Sequence, residues 1–223
     1  MLVGLLGLFW ALKSPMLAWV GWLLFVGVMG FTVWTLFVTW RIYDVSGLYQ
    51  FEWLEPEVRQ ADRLLNVTIG FDESSGLLRQ RFPWLDISPI TIGGDGVGGA
   101  SIVRASRYAP AESGAWRAGV GDWPDLPLCD VVLFFFAAHE VRSLDKRRAL
   151  FESASHVVPE GARAVVVEHL RDWPNFLAYG PGAHHFLTLA DWHATFEPYW
   201  RLAFETSFTP WLRIFYLRKR QEP

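Results

Sequence analysis

The polar and apolar positions divide the chain near residue 41. From Pro15 to Trp40, "PMLAWVGWLLFVGVMGFTVWTLFVTW", 26 residues pass without a charge. A helix rising about 1.5 Å per residue over that length crosses a hydrocarbon core of about 30 Å with some tilt. Trp19, Trp22, Trp34 and Trp40 lie toward its ends, where indole rings favour a membrane interface. The apolar stretch over residues 1–12 is shorter and is set apart by Lys13, Ser14 and Pro15, so it reads as an interfacial or re-entrant piece. A secretory signal would place its cation before a shorter apolar core and a small-residue cleavage site after it; "FVTWRIYDV" offers none. The pattern predicts a hydrophobic membrane anchor over residues 1–41, with a transmembrane helix at 15–40.

Residues 42–62 mix aromatic and charged side chains at helical spacing, as one or two short helices connecting to a domain over 63–223. There, strand and helix patterns alternate. "RLLNVTIG" predicts a strand and "SSGLLRQRF" a short helix with Ser74 or Ser75 as its cap. "WLDISPITI" predicts a second strand ending at Pro89, and "ASIVRAS" a third. "CDVVLFFFAA" and "ARAVVVEHL" are continuous apolar runs, as strands buried on both faces require. "SLDKRRALFESASHVV" has helical period, and "TLADWHATFEPYW" opens with Thr188 and Asp191 at near capping-box spacing. "RLAFETSF" and "WLRIFYLRKR" follow too closely for a crossover helix and must be antiparallel. The prediction is an α/β fold, a Rossmann-like, mostly parallel seven-stranded sheet with an antiparallel C-terminal hairpin.

Composition sharpens this picture. A hydrophobic fraction of 52%, with 13 Trp and 17 Phe, is high for a soluble domain. The first 41 residues hold only the cations Lys13 and Arg41, so the rest of a −3 chain carries −5, which argues against a nucleic-acid partner. The single Cys129, in an apolar run, leaves no disulfide framework, and no His or Cys pair has metal-ligand spacing, so no metal is expected.

The alternation, with "NVTIGFDESSG" after the first strand and "LDISP" later, resembles the class I S-adenosylmethionine (SAM)-dependent methyltransferases. The resemblance covers about residues 60–220 and is strongest in the second half. It places Asn66, Thr68, Gly70 and Asp72 in the first cofactor motif. It also places Asp86, 20 residues beyond Asn66, with Ile87 at the end of the second strand, where a carboxylate would hold the ribose hydroxyls. Asn66 stands where the family has an acid, and Thr68 and Asp72 where it has glycines. Asp72 and Glu73 either attract the cationic cofactor or cap the following helix.

On the acceptor side the resemblance points to His139 after the fourth strand and to His184 and His185 in "YGPGAHHF". These are proton-transfer candidates with ordinary structural roles as the alternative. Tyr43, Tyr49, Phe51 and Trp53 either roof an acceptor pocket or pack onto the sheet. "GDGVGG", Gly94 to Gly99, fits a dinucleotide pattern but lacks the strand–helix context that gives it meaning. The implied function is a membrane-bound SAM-dependent methyltransferase acting on a lipophilic small molecule or lipid. Its expected location is the bacterial inner membrane with the catalytic domain cytoplasmic. The competing reading is a tethered, catalytically inactive binding module.

Overall fold

The computed structural model describes residues 15–70, 72–94, 97–98 and 115–221. The expected piece over residues 1–12 lies outside them. The chain divides into two compact units, Met1–Val45 and Ser46–Pro223. In the first, helix α1 (Pro15–Trp40) continues into a π-helical turn at Arg41–Val45. Met16, Trp19, Leu23 and Val28 are 64–73% exposed. The hydroxyls of Thr32 and Thr39 donate back to the Val28 and Thr35 carbonyls, at 2.8 and 2.9 Å, so these polar groups are satisfied within the helix. Among the described residues it is the one helix long and apolar enough to cross a membrane.

The second unit is built on a seven-stranded sheet: β1 (Arg63–Ile69), β2 (Asp86–Ile92), β3 (Trp116–Ala118), β4 (Val131–Phe135), β5 (Arg163–His169), β6 (Trp200–Thr209) and β7 (Leu212–Lys219). Their order is β3-β2-β1-β4-β5-β7-β6. The first five are parallel, and β7 runs antiparallel to both β5 and β6. The apolar runs occupy the centre, where Val67, Val131, Leu133, Val165 and Val167 are fully buried.

Among the described residues, five α-helices accompany the sheet: α2 (Glu55–Val58), α3 (Ser75–Arg81), α4 (Leu144–His156), α5 (Trp173–Tyr179) and α6 (Leu189–Phe196). Thr188 and Asp191 form the reciprocal capping box that their spacing predicts. On one face of the sheet, Phe151 of α4 stacks on Phe134 of β4 at 4.4 Å and meets Phe196 of α6 at 5.2 Å. The Trp200 indole N–H donates to the Phe151 carbonyl at 2.9 Å, so this indole is satisfied within the aromatic core.

The residues just ahead of β1 are tied to the sheet. Tyr216 donates its hydroxyl to the Trp53 carbonyl at 3.0 Å, Arg163 donates to the Glu57 carbonyl at 2.7 Å, and Arg218 pairs with the Glu57 carboxylate at 2.9 Å.

One expectation is corrected. β2 does not stop at Pro89 but continues to Ile92. β3 pairs with β2 only from Ile90 onward, so at Pro89 the outer side of β2 has no ladder bond from β3 to lose. The strand expected at "ASIVRAS" lies outside the described residues. The strand that pairs with β2 is instead Trp116–Ala118, a three-residue edge strand in a Gly/Pro-rich stretch with no apolar run to mark it.

Candidate active site

The loops after β1, β2, β4 and β5 all leave the sheet at its carboxyl edge. Pairing of Ile69 with Ile92 sets the turns at Gly70 and at Gly93–Gly94 beside each other. Gly70 and Gly94 have φ of 91° and 115°, a left-handed backbone that a side chain would strain. Gly93, Gly94, Val97, Gly119, Gly121 and Lys146 are among the residues lining a cavity of about 360 Å³. A Cβ added at Gly93 or Gly94 would meet nothing within 4 Å. The volume falls in the range of small-molecule sites, roughly 300–1,000 Å³. The described part of the "GDGVGG" segment folds back over this edge. Val97 bridges to Val141, and the Gly98 N–H donates to the Glu140 carbonyl at 3.2 Å.

The loop after β1 is held by its own side chains. Asn66 is fully buried within β1, and its amide donates to the hydroxyls of Ser74 and Ser75, each at 2.8 Å, and to Asp72 at 3.3 Å. The Asp72 carboxylate accepts from the backbone N–H groups of Ser74 (3.0 Å) and Ser75 (2.9 Å). Asp72 therefore caps α3, and neither serine side chain does. Thr68 turns its hydroxyl across to β2, between the Ile90 carbonyl and the Thr91 hydroxyl. Among the described residues the buried Asn66 Oδ1 has no hydrogen-bond partner.

Asp86 and Ile87 are corrected in place. They open β2 rather than close it, and Asp86 pairs across to Arg63, the first residue of β1. A seven-residue strand spans about 20 Å at about 3.3 Å per residue, so Asp86 sits at the opposite edge from the glycine turns. Its carboxylate meets the Arg63 guanidinium at 3.4 Å in open solvent. Spacing from Asn66 had suggested the reverse, because the acid precedes the apolar run "ISPITI" instead of following it.

On the β4–β5 side, His139 lies between two carboxylates. Its Nδ1 donates to Glu168 at 2.7 Å, and its Nε2 faces Glu140 at 3.2 Å. The His139 backbone N–H also donates to Glu168 at 3.2 Å. Burial disfavours its charge, but Glu168 and then Glu140 prevail and raise its pKa to about 10. With both ring nitrogens turned to carboxylates, the geometry favours a buried imidazolium at His139.

Next to Glu168, His169 has the opposite character. Burial lowers its pKa to about 4, although hydrogen bonds to Asn175 and the Trp211 carbonyl oppose the shift. Nδ1 faces two acceptors, Asn175 Oδ1 at 3.1 Å and the Trp211 carbonyl at 3.0 Å, which fixes the tautomer with its proton there. Its ring lies between Phe136 (5.4 Å) and Phe186 (4.8 Å). Phe136 follows β4 with φ of 52°, unusual for a bulky residue and of the kind that concentrates near functional sites. Phe135 gathers Tyr49, Phe51 and Trp53 around it at 5.6–6.1 Å. The connector aromatics thus pack onto the sheet, and they do so at its carboxyl edge.

His184 and His185 are exposed on the 3-10 segment Gly180–His185. The His185 ring lies 6.1 Å from that of His139, and its Nδ1 contacts the Gly182 carbonyl. Arg142 holds the His185 carbonyl at 2.9 Å. His184 instead leans on Phe176 at 5.8 Å. The sequence reading had Glu168 as either orienting a partner or capping its strand, and it missed His169. The only signal was two polar residues ending an apolar strand, "AVVVEH". Among the described residues no group of three or more His, Cys, Asp or Glu could hold a metal ion.

No protein-family model matches the sequence, and no curated protein matches it. Solved structures do match. N-methyltransferase NodS from Bradyrhizobium japonicum WM9, in complex with S-adenosyl-L-homocysteine (SAH), aligns over 82% of this chain and 92% of its own, with 11% identity and a TM-score of 0.51. Human N-acetylserotonin methyltransferase, in complex with SAM, aligns over 82% of this chain and 53% of its own, with 15% identity and a TM-score of 0.53. The plantazolicin methyltransferase BpumL, in complex with SAH, aligns over 79% and 83%, with 11% identity and a TM-score of 0.53. The chain has the class I SAM-dependent methyltransferase fold.

Proposed function

We propose that the protein is a membrane-bound SAM-dependent methyltransferase acting on a lipophilic small molecule or lipid. The observation that carries this reading is the open, glycine-walled cavity at the carboxyl edge, in a fold shared with NodS and BpumL, both solved with SAH. Two features fit the cofactor. The Gly93–Gly94 turn leaves room for a ligand where a side chain would stand, and the buried Asn66 Oδ1 is an acceptor suited to an ammonium group. When bound, SAM supplies an electrophilic methyl on a sulfonium. Asp72 acts in this reading by closing the turn, and Thr68 by pinning it to β2.

The chain's own residues then set up the acceptor. The rings of Phe136 and Phe186 keep water from the edge, and an excluded, aligned site is most of what methyl transfer needs. His185 is the proton acceptor: its Nδ1 is turned to the Gly182 carbonyl, leaving Nε2 for the proton of an acceptor hydroxyl or amine. The buried His139–Glu168 pair holds the loop after β4 in position behind it.

The apolar α1 supports membrane attachment, and an enzyme fixed there meets acceptors that partition into lipid. We assign it to the bacterial inner membrane with the second unit in the cytoplasm.

The Asn66 amide N–H groups, already donated to Ser74 and Ser75, favour one other reading, a tethered module that keeps the fold without the chemistry. Calorimetric titration of SAM and SAH into the detergent-solubilised full chain, beside Gly93→Leu, separates them. The new side chain enters open space, so the fold is kept while the cavity fills. Micromolar binding lost by the variant supports the enzyme. No binding by folded protein overturns it in favour of the module.

A further inference from the structure

We propose that helix α5 is a second, shallow membrane contact, its outward face seated at the boundary between lipid headgroups and acyl chains. This inference rests on the proposed membrane attachment and is independent of methyl transfer. The helix has its polarity reversed. Its inward side carries Asn175 and Ala178, both fully buried. The Asn175 amide donates to Asp172 at 2.9 Å and to the Trp211 carbonyl at 3.1 Å, and its Oδ1 faces His169. The outward side carries Trp173, 68% exposed, Leu177, 51%, and Phe176, 37%. A helix facing water shows its polar residues outward. This one is locked the other way, because Asp172 also caps it through the Asn175 backbone N–H at 3.1 Å. The rings of Trp173 and Phe176 stack at 5.7 Å and 13°, forming one flat apolar surface.

The flanking chemistry suits a bilayer with anionic headgroups. Arg171 precedes the helix and keeps its side chain 45% exposed while pairing with Asp191 at 3.4 Å, exposed His184 and His185 follow it, and exposed Arg142 reaches the His185 carbonyl. Asp172 is turned inward by its capping bonds. Trp, Phe and Leu with a basic rim is an interfacial composition. A second copy of the chain is a poorer occupant. Even fully covered aromatic side chains bury about 150–250 Å² each, and the partly exposed Trp173, Phe176 and Leu177 fall short of the roughly 800 Å² that each partner gives to a standard interface. The second unit begins at Ser46, soon after α1 ends at Trp40, so a bilayer holding α1 is present at high effective concentration. On the inner side of α5, Tyr179 meets His169 edge-on at 5.6 Å, so the helix joins this surface to the aromatic wall of the candidate site.

The test uses the full chain in vesicles of phosphatidylethanolamine and phosphatidylglycerol. Trp173→Cys and Leu177→Cys are each labelled with an environment-sensitive fluorophore, leaving buried Cys129 in place. Val28→Cys on α1 and Glu160→Cys in an exposed turn are the references. Nitroxide-bearing lipids are expected to quench labels at 173 and 177 several-fold more than the label at 160, while aqueous iodide quenches 160 preferentially. Labels at 173 and 177 that follow 160, with 28 lipid-quenched, overturn this inference alone. Labels shielded from both quenchers mean that protein covers the face, which also overturns it. A label at 28 that lipid nitroxides do not reach removes the membrane attachment and this inference with it. Calorimetric SAM binding is read separately and stands or falls apart from all three results.

Discussion

At the amino edge of the sheet, Arg63 and Asp86 pair at 3.4 Å with side chains 48% and 63% exposed, and Asp130 turns its carboxylate onto the backbone N–H groups of Asp62 and Arg63. At the carboxyl edge, Glu168 is fully buried against His139, Phe136 holds a left-handed backbone, and glycines stand where side chains would block a cavity. One sheet therefore handles charge in two ways. At the first edge, water and backbone satisfy it cheaply. At the second, desolvated groups and a strained backbone are kept, although a surface pair or a relaxed turn would be more stable. Unfavourable features gathered at one edge mark the candidate site, whereas the acid whose spacing from Asn66 looked right stands at the other.

The comparison can be broken most sharply at Glu168. Replacing it with alanine leaves the His139 imidazolium buried beside one carboxylate, so chemical denaturation should show a loss of about 3–5 kcal/mol. A loss below about 1 kcal/mol would make the carboxyl-edge pair no more consequential than a surface one.

The two buried histidines give a pH dependence with opposite limbs. His139, raised to about 10 in the folded chain, contributes stability that is complete below its unfolded pKa of about 6.5 and is lost as pH climbs through about 10. His169, lowered to about 4, contributes stability present above about 6.5 and lost as pH falls through about 4. The midpoint of urea unfolding should therefore peak near neutral pH. His139→Gln should flatten the alkaline limb and His169→Asn the acid limb; a profile unchanged by either substitution contradicts the assignment.

Asp72→Ala removes two capping bonds from α3 and should cost about 1 kcal/mol. A larger loss in SAH affinity than in stability would instead put Asp72 on the ligand. The smallest effect is expected at Asp86→Ala: about 0.5 kcal/mol or less in stability, with SAH affinity unchanged within about twofold. A tenfold loss of affinity would overturn its assignment to the amino edge.

Much of the fold could be read along the chain, because its signals are local. Runs such as "VVLFF" and "AVVV" have no polar positions to expose and so become central strands. Thr188 and Asp191 are neighbours on one helical turn, and their capping box forms as spacing predicts. β3 was missed because a three-residue edge strand has no period to detect. Helix α5 was missed because its polar residue faces in and its apolar residues face out, the reverse of the pattern that reveals a surface helix.

The site divides in the same way. Local sequence placed Asn66 in β1 and Gly70 at the turn after it, where both stand. The surroundings of His139 were not legible, because Glu168 lies 29 residues away and reaches it only when β4 and β5 pair.

The sequence by itself determined the uncharged apolar helix, the alternation that makes a parallel sheet, and the antiparallel close of that sheet, since each depends on spacing within a few residues. Only the tertiary structure decided which edge Asp86 occupies and which buried histidine is favoured in its charged form. Those depend on strand register and on burial beside carboxylates from distant segments, and neither is encoded in any one stretch of the chain.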